Sequence, residues 1–516
     1  MCAPKKTKQD KWGPVLRPLF EDPSARALSR VGVVDVGSNS VRLVVFDGAA
    51  RSPAYFYNEK VMCGLGKGLG ETGLLNPKGR IRALEALKRF QLLAQGMGIA
   101  PLTAVATAAV RDASDGPDFR NQVDAETGLQ LFVIDGKEEA RLSAQGVLLG
   151  WPDAKGLVCD IGGSSMELAR VGDGKVGRRL SAPLGPLKLQ SLAGGRAERL
   201  AHIKAVVAEL SETMGSDYKR LFLVGGSWRA IARLDMERRG YPLHVLHEYR
   251  MTPQSVRATL KWITQNDLQD LRRRTSTSEA RMTLVPIASE VLLQLIHTFK
   301  PKEIAISSYG IREGLLYEQM SKKARKRDPL IEACRFAEAK DGRRPGFGRA
   351  LFNFLEPLFK SEKPETIRLI KAACLLHDVT WRAHPDYRAE VCFDNATRAN
   401  LGGLTHGERI WLGLALLHRY KKSRNGTRFS ELFELLDDAA IAQAEAVGKA
   451  MRFGSMFSVA DPSALAQLDW QPKNKVLTLS LTASGGDLFG EVAQSRLRAL
   501  AAVLGAETIV RQNQNM

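Results

Sequence analysis

The sequence predicts an α/β fold made of a duplicated pair of domains, followed by a helical region and a small α+β tail. Three observations carry this. The first is Val33-Val34-Asp35-Val36-Gly37-Ser38-Asn39-Ser40-Val41-Arg42-Leu43, an apolar strand that runs into a carboxylate, a glycine turn, a small polar triplet and a second strand. The second is its echo, Asp160-Ile161-Gly162-Gly163-Ser164-Ser165-Met166-Glu167-Leu168, in which Gly162, Ser165 and Leu168 fall where Gly37, Ser40 and Leu43 fall when Asp160 is set on Asp35. Two such hairpins in one chain imply duplication. The third is the alternation of strand-like and helix-like stretches up to about residue 320, which gives way to nearly continuous helical periodicity.

In chain order, strands are expected at 31–35 and 41–47, a helix at 77–95, a strand at 102–107, a helix around Asp118, a strand at 129–134 and a helix at 137–149. The helix at 77–95 opens after Asn76, with Pro77 in its first turn, and closes at Gly96. Its expected apolar face is Ile81, Leu84, Leu87, Leu92 and Leu93. The pattern restarts with the strand at 156–160, then a helix at 196–214, a strand at 221–224 and a helix opened by Gly225-Gly226. A strand ending in Gly-Gly-Ser before a helix presents free N–H groups suited to an anion or to close packing. A last strand at 304–306 turns through Ser307 to Gly314 into a helix ending near 320.

The cluster Lys322, Lys323, Arg325, Lys326 and Arg327 and the breakers Gly342, Pro345 and Gly346 mark a boundary. Helices at 367–377 and 407–420 follow, then one at 439–457, a strand at 475–481 and a helix at 490–505. The expected domains are a basic N-terminal tail at 1–30, α/β domains at 31–150 and 151–320, a helical domain at 321–437 and a small α+β domain at 438–516.

Composition narrows the partners. Apolar residues at 44% and charged residues at 25% are those of an ordinary globular protein. A net charge of +19 calls for a polyanion: nucleic acid, an anionic lipid surface or a phosphate polymer. No nucleic-acid reading motif appears, so no specific nucleic-acid partner is expected. No window has the length of a membrane span and the first thirty residues lack an apolar signal core, so no membrane partner is expected. The six cysteines show no CxxC spacing, which fits a reducing cytoplasm.

The hairpins suit phosphate. Gly37 permits a tight turn, while Ser38, Asn39 and Ser40 expose hydroxyl, amide and main-chain donors, and Gly162, Gly163, Ser164 and Ser165 do the same in the repeat. Asp35 and Asp160 end equivalent strands, where a carboxylate either holds a hydrated Mg2+ or forms a turn. Arg42 points into the cleft or to the outer surface, since a strand sends alternate side chains to opposite faces. Glu139 falls in the first turn of a helix, where a carboxylate also suits the helix dipole.

These motifs, with Gly64-Leu65-Gly66-Lys67-Gly68, Ala106-Thr107-Ala108-Ala109-Val110-Arg111, Gly136-Lys137-Glu138-Glu139-Ala140-Arg141 and Ser308-Tyr309-Gly310-Ile311-Arg312-Glu313-Gly314, resemble the exopolyphosphatase and guanosine pentaphosphate phosphohydrolase (Ppx/GppA) family, in its long four-domain form. The resemblance implies two ribonuclease-H-like domains of the actin-like ATPase superfamily, an HD-like helical domain, Mg2+ as cofactor and a homodimer. It implies Glu139 as the carboxylate that directs water, Arg111 on phosphate oxygens and Asp35 and Asp160 as metal carboxylates. Its substrates are inorganic polyphosphate or guanosine pentaphosphate or tetraphosphate. A non-catalytic alarmone or polyphosphate sensor is the alternative of another class. Ser164 departs from the family's third glycine and is expected to alter loop geometry without loss of binding. Arg281 and the triplet Arg272-Arg273-Arg274 are candidates to guide a phosphate chain. His377-Asp378 matches an HD metal pair in type, yet no histidine occurs between Ser321 and Leu376 to complete a metal site, so the pair reads as structural.

Overall fold

The computed structural model describes residues 30–99, 102–216 and 218–512; the basic tail expected at 1–30 lies, but for Arg30, outside them. The chain divides between Arg327 and Asp328 into two compact units.

The first unit holds two sheets of matching topology. Strands β1 (Val31–Val36), β2 (Ser40–Ala49) and β3 (Ser52–Met62) form an antiparallel meander, and β4 (Thr103–Ala106) and β5 (Leu131–Val133) extend it in parallel, in the order β3-β2-β1-β4-β5. The second sheet repeats this with β6 (Gly156–Ile161), β7 (Met166–Gly172) and β8 (Lys175–Ala182) as the meander. Its strands β9 (Arg220–Gly225) and β11 (Glu303–Ser307) extend it in parallel, with the short β10 (Arg250–Met251) antiparallel at the edge. The duplication read from the hairpins thus extends to whole sheets. Sequence periodicity did not find β3, in which no residue from Ala54 on is buried, so no alternation of buried apolar and exposed polar residues marks it.

Each sheet has its own outer core. Helices α1 (Pro77–Gly96) and α2 (Gly116–Thr127) cover the first; α4 (Gly195–Met214), α5 (Gly226–Arg239), α6 (Pro253–Thr264) and α7 (Val285–Phe299) cover the second. The buried face of α1 is Ala83, Leu84, Ala86, Leu87, Phe90 and Ala94, whereas Ile81 and Leu92 are exposed. Successive steps of three and four from Ala83 pass Leu87, Phe90 and Ala94, and Ile81 and Leu92 fall outside that stripe. The run Glu279–Phe299, which includes α7, has the length and apolar composition of a membrane-crossing helix, contrary to the expectation above, and most of it is buried in the core of the second sheet.

Between the inner faces of the sheets lie α3 (Gly136–Gly150) and α8 (Ile311–Gln319), sharing one core with residues of both. Their backbones meet at glycines: a Cβ on Gly314 would fall 1.9 Å from the carbonyl oxygen of Leu142, and one on Gly146 would fall 2.3 Å from that of Gly310. Only glycine allows this approach.

Arg51 ties the far end of α3. Its guanidinium, 2% exposed, donates to the carbonyls of Leu149 (2.5 Å), Leu148 (3.1 Å), Arg325 (3.2 Å) and Arg327 (3.1 Å). Those of Leu148 and Leu149 are helix-end acceptors that have no partner within α3.

In the second unit, helices Phe347–Leu355, Pro364–Leu376, Arg388–Arg398, His406–Tyr420 and Asp438–Phe457 pack into a bundle. A three-stranded sheet, Ala466–Gln471, Val476–Leu481 and Glu507–Gln512, follows, its last two strands parallel across helix Glu491–Leu504. Helix Asp438–Phe457 packs on both His406–Tyr420 and Glu491–Leu504, so it belongs as much to the bundle as to the tail. Five cysteines, Cys63, Cys159, Cys334, Cys374 and Cys392, are free and buried.

Replacing Arg51 by Met is expected to lower unfolding stability by about 2–4 kcal/mol, because two buried and two partly buried carbonyls lose a charged donor. Urea denaturation of the purified variant checks this; a loss below about 0.5 kcal/mol would show the staple to be inert.

Candidate active site

The ends of β1, β6 and β9 and the first turns of α3 and α8 converge on one cleft. Asp35, Gly37, Ser38, Asn39, Ser40, Glu139, Asp160, Gly162, Gly163 and Ser165 line it, so the structure brings together most of the residues singled out from the sequence. Ser164 and Arg111 line the neighbouring pocket instead.

The two hairpins close identically. The Gly37 N–H donates to the Ser40 carbonyl at 3.0 Å, and the Gly162 N–H donates to the Ser165 carbonyl at 2.9 Å. Ser164 is not among the residues with positive φ, so a side chain is accommodated there. Its hydroxyl bridges to that of Ser38 at 3.0 Å and links the hairpin tips.

Strand register exposes a broken symmetry. Asp35 pairs with Arg42 across β1 and β2, while Asp160 pairs with Glu167 across β6 and β7. Equivalent positions therefore carry a guanidinium on one side and a carboxylate on the other. Glu167 is 1% exposed and was not singled out from the sequence; its place in the repeat opposite Arg42 was the available signal.

Glu139, Asp160 and Glu167 form a buried acidic group. Burial raises the Glu139 carboxyl well above the ordinary range, reinforced by Glu167 and Asp160 and opposed by Arg111. Burial raises Asp160 to about 6, against a hydrogen bond from the Ser143 hydroxyl. Glu167 rises to about 8 through burial and then Asp160. Its Oε1 accepts from the Ser181 hydroxyl at 2.9 Å, while its Oε2 has no hydrogen-bond partner.

Arg111 lies beside Glu139. Its Nη1 donates to Glu139 Oε2 at 3.3 Å and to the Ile134 carbonyl at 3.2 Å, and its Nε donates to Asp112 at 2.9 Å. The guanidinium follows the short helix Ala108–Asp112, which turns it toward α3 and makes it a partner of Glu139.

The cations facing the cleft are Arg42, Lys60, Arg229, Arg281 and Arg312. Arg42 thus points inward, its Nε donating to Asn58 at 2.7 Å. Burial, then Arg312, pushes Arg42 and Arg229 each down to about 10. Arg312 is 8% exposed and its Nη1 has no hydrogen-bond partner, a donor aimed at a site lined by phosphate-gripping turns. Arg281 lines the cleft, whereas Arg272, Arg273 and Arg274 pair with Gln269, Asp270 and Glu237 away from it. Arg229 and Arg312 were not singled out, although Arg312 lies within the motif Ser308–Gly314 and Arg229 follows the Gly225-Gly226 turn, and those were the available signals.

A hard divalent cation fits Asp35 and Asp160. Both line the cleft, and burial raises both carboxyls, so a cation between them would offset that cost. Among the described residues no group of three His, Cys, Asp or Glu side chains is arranged to hold a metal ion, so its remaining ligands would be water and substrate oxygens.

In the second unit, Asp378 gives both oxygens to Arg343 at 2.6 and 2.7 Å, and His377 Nδ1 lies 2.8 Å from the Cys374 carbonyl.

The raised carboxyls carry a pH signature. Glu167 holds its proton in the folded state up to about 8 and loses it near the ordinary carboxylate value of 4.5 when unfolded, so the unfolded chain binds fewer protons across that window. Stability therefore falls as pH rises from 5 to 8. Glu167→Gln, which fixes the neutral form, is expected to gain about 1–3 kcal/mol on wild type at pH 8 and little at pH 5, measured by urea midpoints; an equal effect at both pH values would refute the assignment.

Comparison with known proteins agrees with this geometry. The model of the Ppx/GppA phosphatase family matches residues 44–323, more than half of the chain, and that of the exopolyphosphatase C-terminal region matches residues 353–510. Exopolyphosphatase 1 of Mycobacterium tuberculosis is 35% identical over 163 residues, 31% of this chain and 47% of that protein; the chain thus spans about half the length of such curated relatives. Retrograde regulation protein 2 of Saccharomyces cerevisiae is 26% identical over 438 residues, 75% of this chain and 72% of that protein. The crystal structure of an exopolyphosphatase from Cytophaga hutchinsonii, 22% identical, superposes with a TM-score of 0.52 over 57% of this chain and 99% of that one, a likeness of fold. With both halves of the described chain matched in order, the protein belongs to the Ppx/GppA phosphatase family.

Proposed function

We propose that the protein is an exopolyphosphatase that hydrolyses terminal phosphoanhydride bonds of inorganic polyphosphate. The carrying observation is a buried Glu139, held by Arg111, at the edge of a cleft lined by two phosphate-gripping turns and five cationic side chains. Phosphoanhydride hydrolysis needs a placed water and positive charge around the transferring group more than covalent help.

In this reading the main-chain N–H groups and hydroxyls of the two hairpins hold the terminal phosphoryl group, and Arg312 and Arg42 balance its charge. Glu139 accepts a proton from the attacking water as the terminal phosphorus–oxygen bridge breaks, which leaves orthophosphate and a shortened chain. Burial makes Glu139 a stronger base than an exposed carboxylate, and the Arg111 guanidinium beside it opposes that rise. Asp35 and Asp160 would hold Mg2+, which when bound neutralises phosphate oxygens.

Guanosine pentaphosphate is the alternative substrate. Polyphosphate is favoured because, among the described residues, no aromatic ring lines the cleft to stack a base, while Arg229 and Arg281 continue its positive wall. A sensor reading draws support from the long match to a protein named for regulation. We include in the proposal the four-domain layout, an HD-like character for the helical region, and a homodimer.

Glu139→Gln is expected to retain polyphosphate binding while orthophosphate release falls about 10²–10⁴-fold, read by phosphate assay; near-normal turnover would exclude this role for Glu139. Arg111→Met removes the charge that lowers Glu139, so the rising limb of kcat/KM against pH should move to higher pH. An unmoved limb would remove Arg111 from this role. Asp160→Ala should weaken the Mg2+ dependence of the rate, and an unchanged dependence would dismiss the carboxylate pair as its ligands.

A further inference from the structure

Tyr420 is the hub of a cluster in the second unit. Its hydroxyl donates to the His377 carbonyl at 2.9 Å and to Asp378 at 3.3 Å. The guanidinium carbons of Arg419 and Arg388 lie 4.6 and 5.6 Å from its ring centroid, and Arg343 grips the Asp378 carboxylate. Arg343 and Arg419 thus both act on the Asp378 carboxylate, while Arg388, whose Nη2 donates to the Ala383 carbonyl at 3.3 Å, lies over the Tyr420 ring, so the guanidiniums of the cluster outnumber its one carboxylate. Burial, then Arg419, pushes the His377 imidazole down to about 4, so it is neutral at pH 7.

Arg419 is 6% exposed, and neither its Nε nor that of Arg388 has a hydrogen-bond partner. More like charge adjoins: burial, Arg496 and Arg419 all depress the Arg452 guanidinium. A buried guanidinium without a counter-charge is costly, and an oxyanion offering several acceptors relieves that cost. A guanidinium fork matches phosphate geometry. A metal ion would meet the repulsion of all three arginines. The Arg343 side chain, half exposed, opens the cluster to solvent.

We propose that Arg343, Arg388 and Arg419 bind a phosphate-class oxyanion at a site distinct from the catalytic cleft. Its source is free orthophosphate or a phosphoryl group within a polyphosphate chain. The site does not depend on the cleft being catalytic.

The test titrates the full-length chain carrying Glu139→Gln, which does not consume the probe, with orthophosphate and, separately, with polyphosphate by isothermal calorimetry. Adding Arg419→Met is expected to remove one class of sites, weakening it at least tenfold, and to leave the cleft class intact. An effect with orthophosphate assigns the free ion, and one with polyphosphate alone assigns the chain. In phosphate-free buffer Arg419→Met should hold or raise Tm, because it removes an uncompensated buried charge. Arg343→Gln, at the exposed mouth, serves as the second variant should Arg419→Met fail to fold. Unchanged site number and affinity with both probes would overturn the proposal.

Discussion

Glu139, Asp160 and Glu167 are buried within reach of one another's fields, and the first unit is arranged around that constraint. Each carboxylate disfavours ionisation of its neighbours, so their charged forms depend on the cations opposite and on Arg111 beside them. Such an acidic group persists only where the backbone has little freedom to relax. The glycine contacts between α3 and α8 and the Arg51 staple at the far end of α3 supply that rigidity.

Duplication explains where the site lies, and the break in duplication explains what it can do. The two meanders place Asp35 and Asp160 at equivalent strand ends. One strand pair away, the copies diverge into Arg42 and Glu167. A symmetric cleft would carry two guanidiniums or two carboxylates at this level. The observed one has a cationic side suited to phosphate oxygens and an acidic side suited to taking a proton.

The sequence made the hairpins legible because their chemistry is local: carboxylate, glycine and donors lie within six residues. It made the inner helix at 137–149 legible by periodicity, though not that this helix shares its core with both sheets. The motif implied Arg111 on phosphate oxygens, and the contact it makes with Glu139 through helix Ala108–Asp112 was not legible in it. Arg229 and Arg312 each follow a turn legible in the sequence, Gly225-Gly226 and Ser308 to Gly310, but only the packing of α5 and α8 shows that their side chains face the cleft. Ile81 and Leu92 were assigned to a core on apolarity alone, and helical phase put them outside.

The second unit shows the same logic with opposite sign. His377 and Asp378 are the residue types of a metal pair, but side-chain identity does not make a metal site; the charge around it does. Arg343 occupies both oxygens of Asp378, and Arg419 helps keep His377 neutral. A pair that elsewhere would attract a cation is here enclosed by guanidiniums, and the electrostatics of the pocket turn toward anions. In the cleft, carboxylates on one wall face cations on the other, and each side has a counter-charge within the fold. Around Tyr420 the charges do not cancel, and a folded protein that retains such an imbalance has an anion as its simplest means of neutralising it.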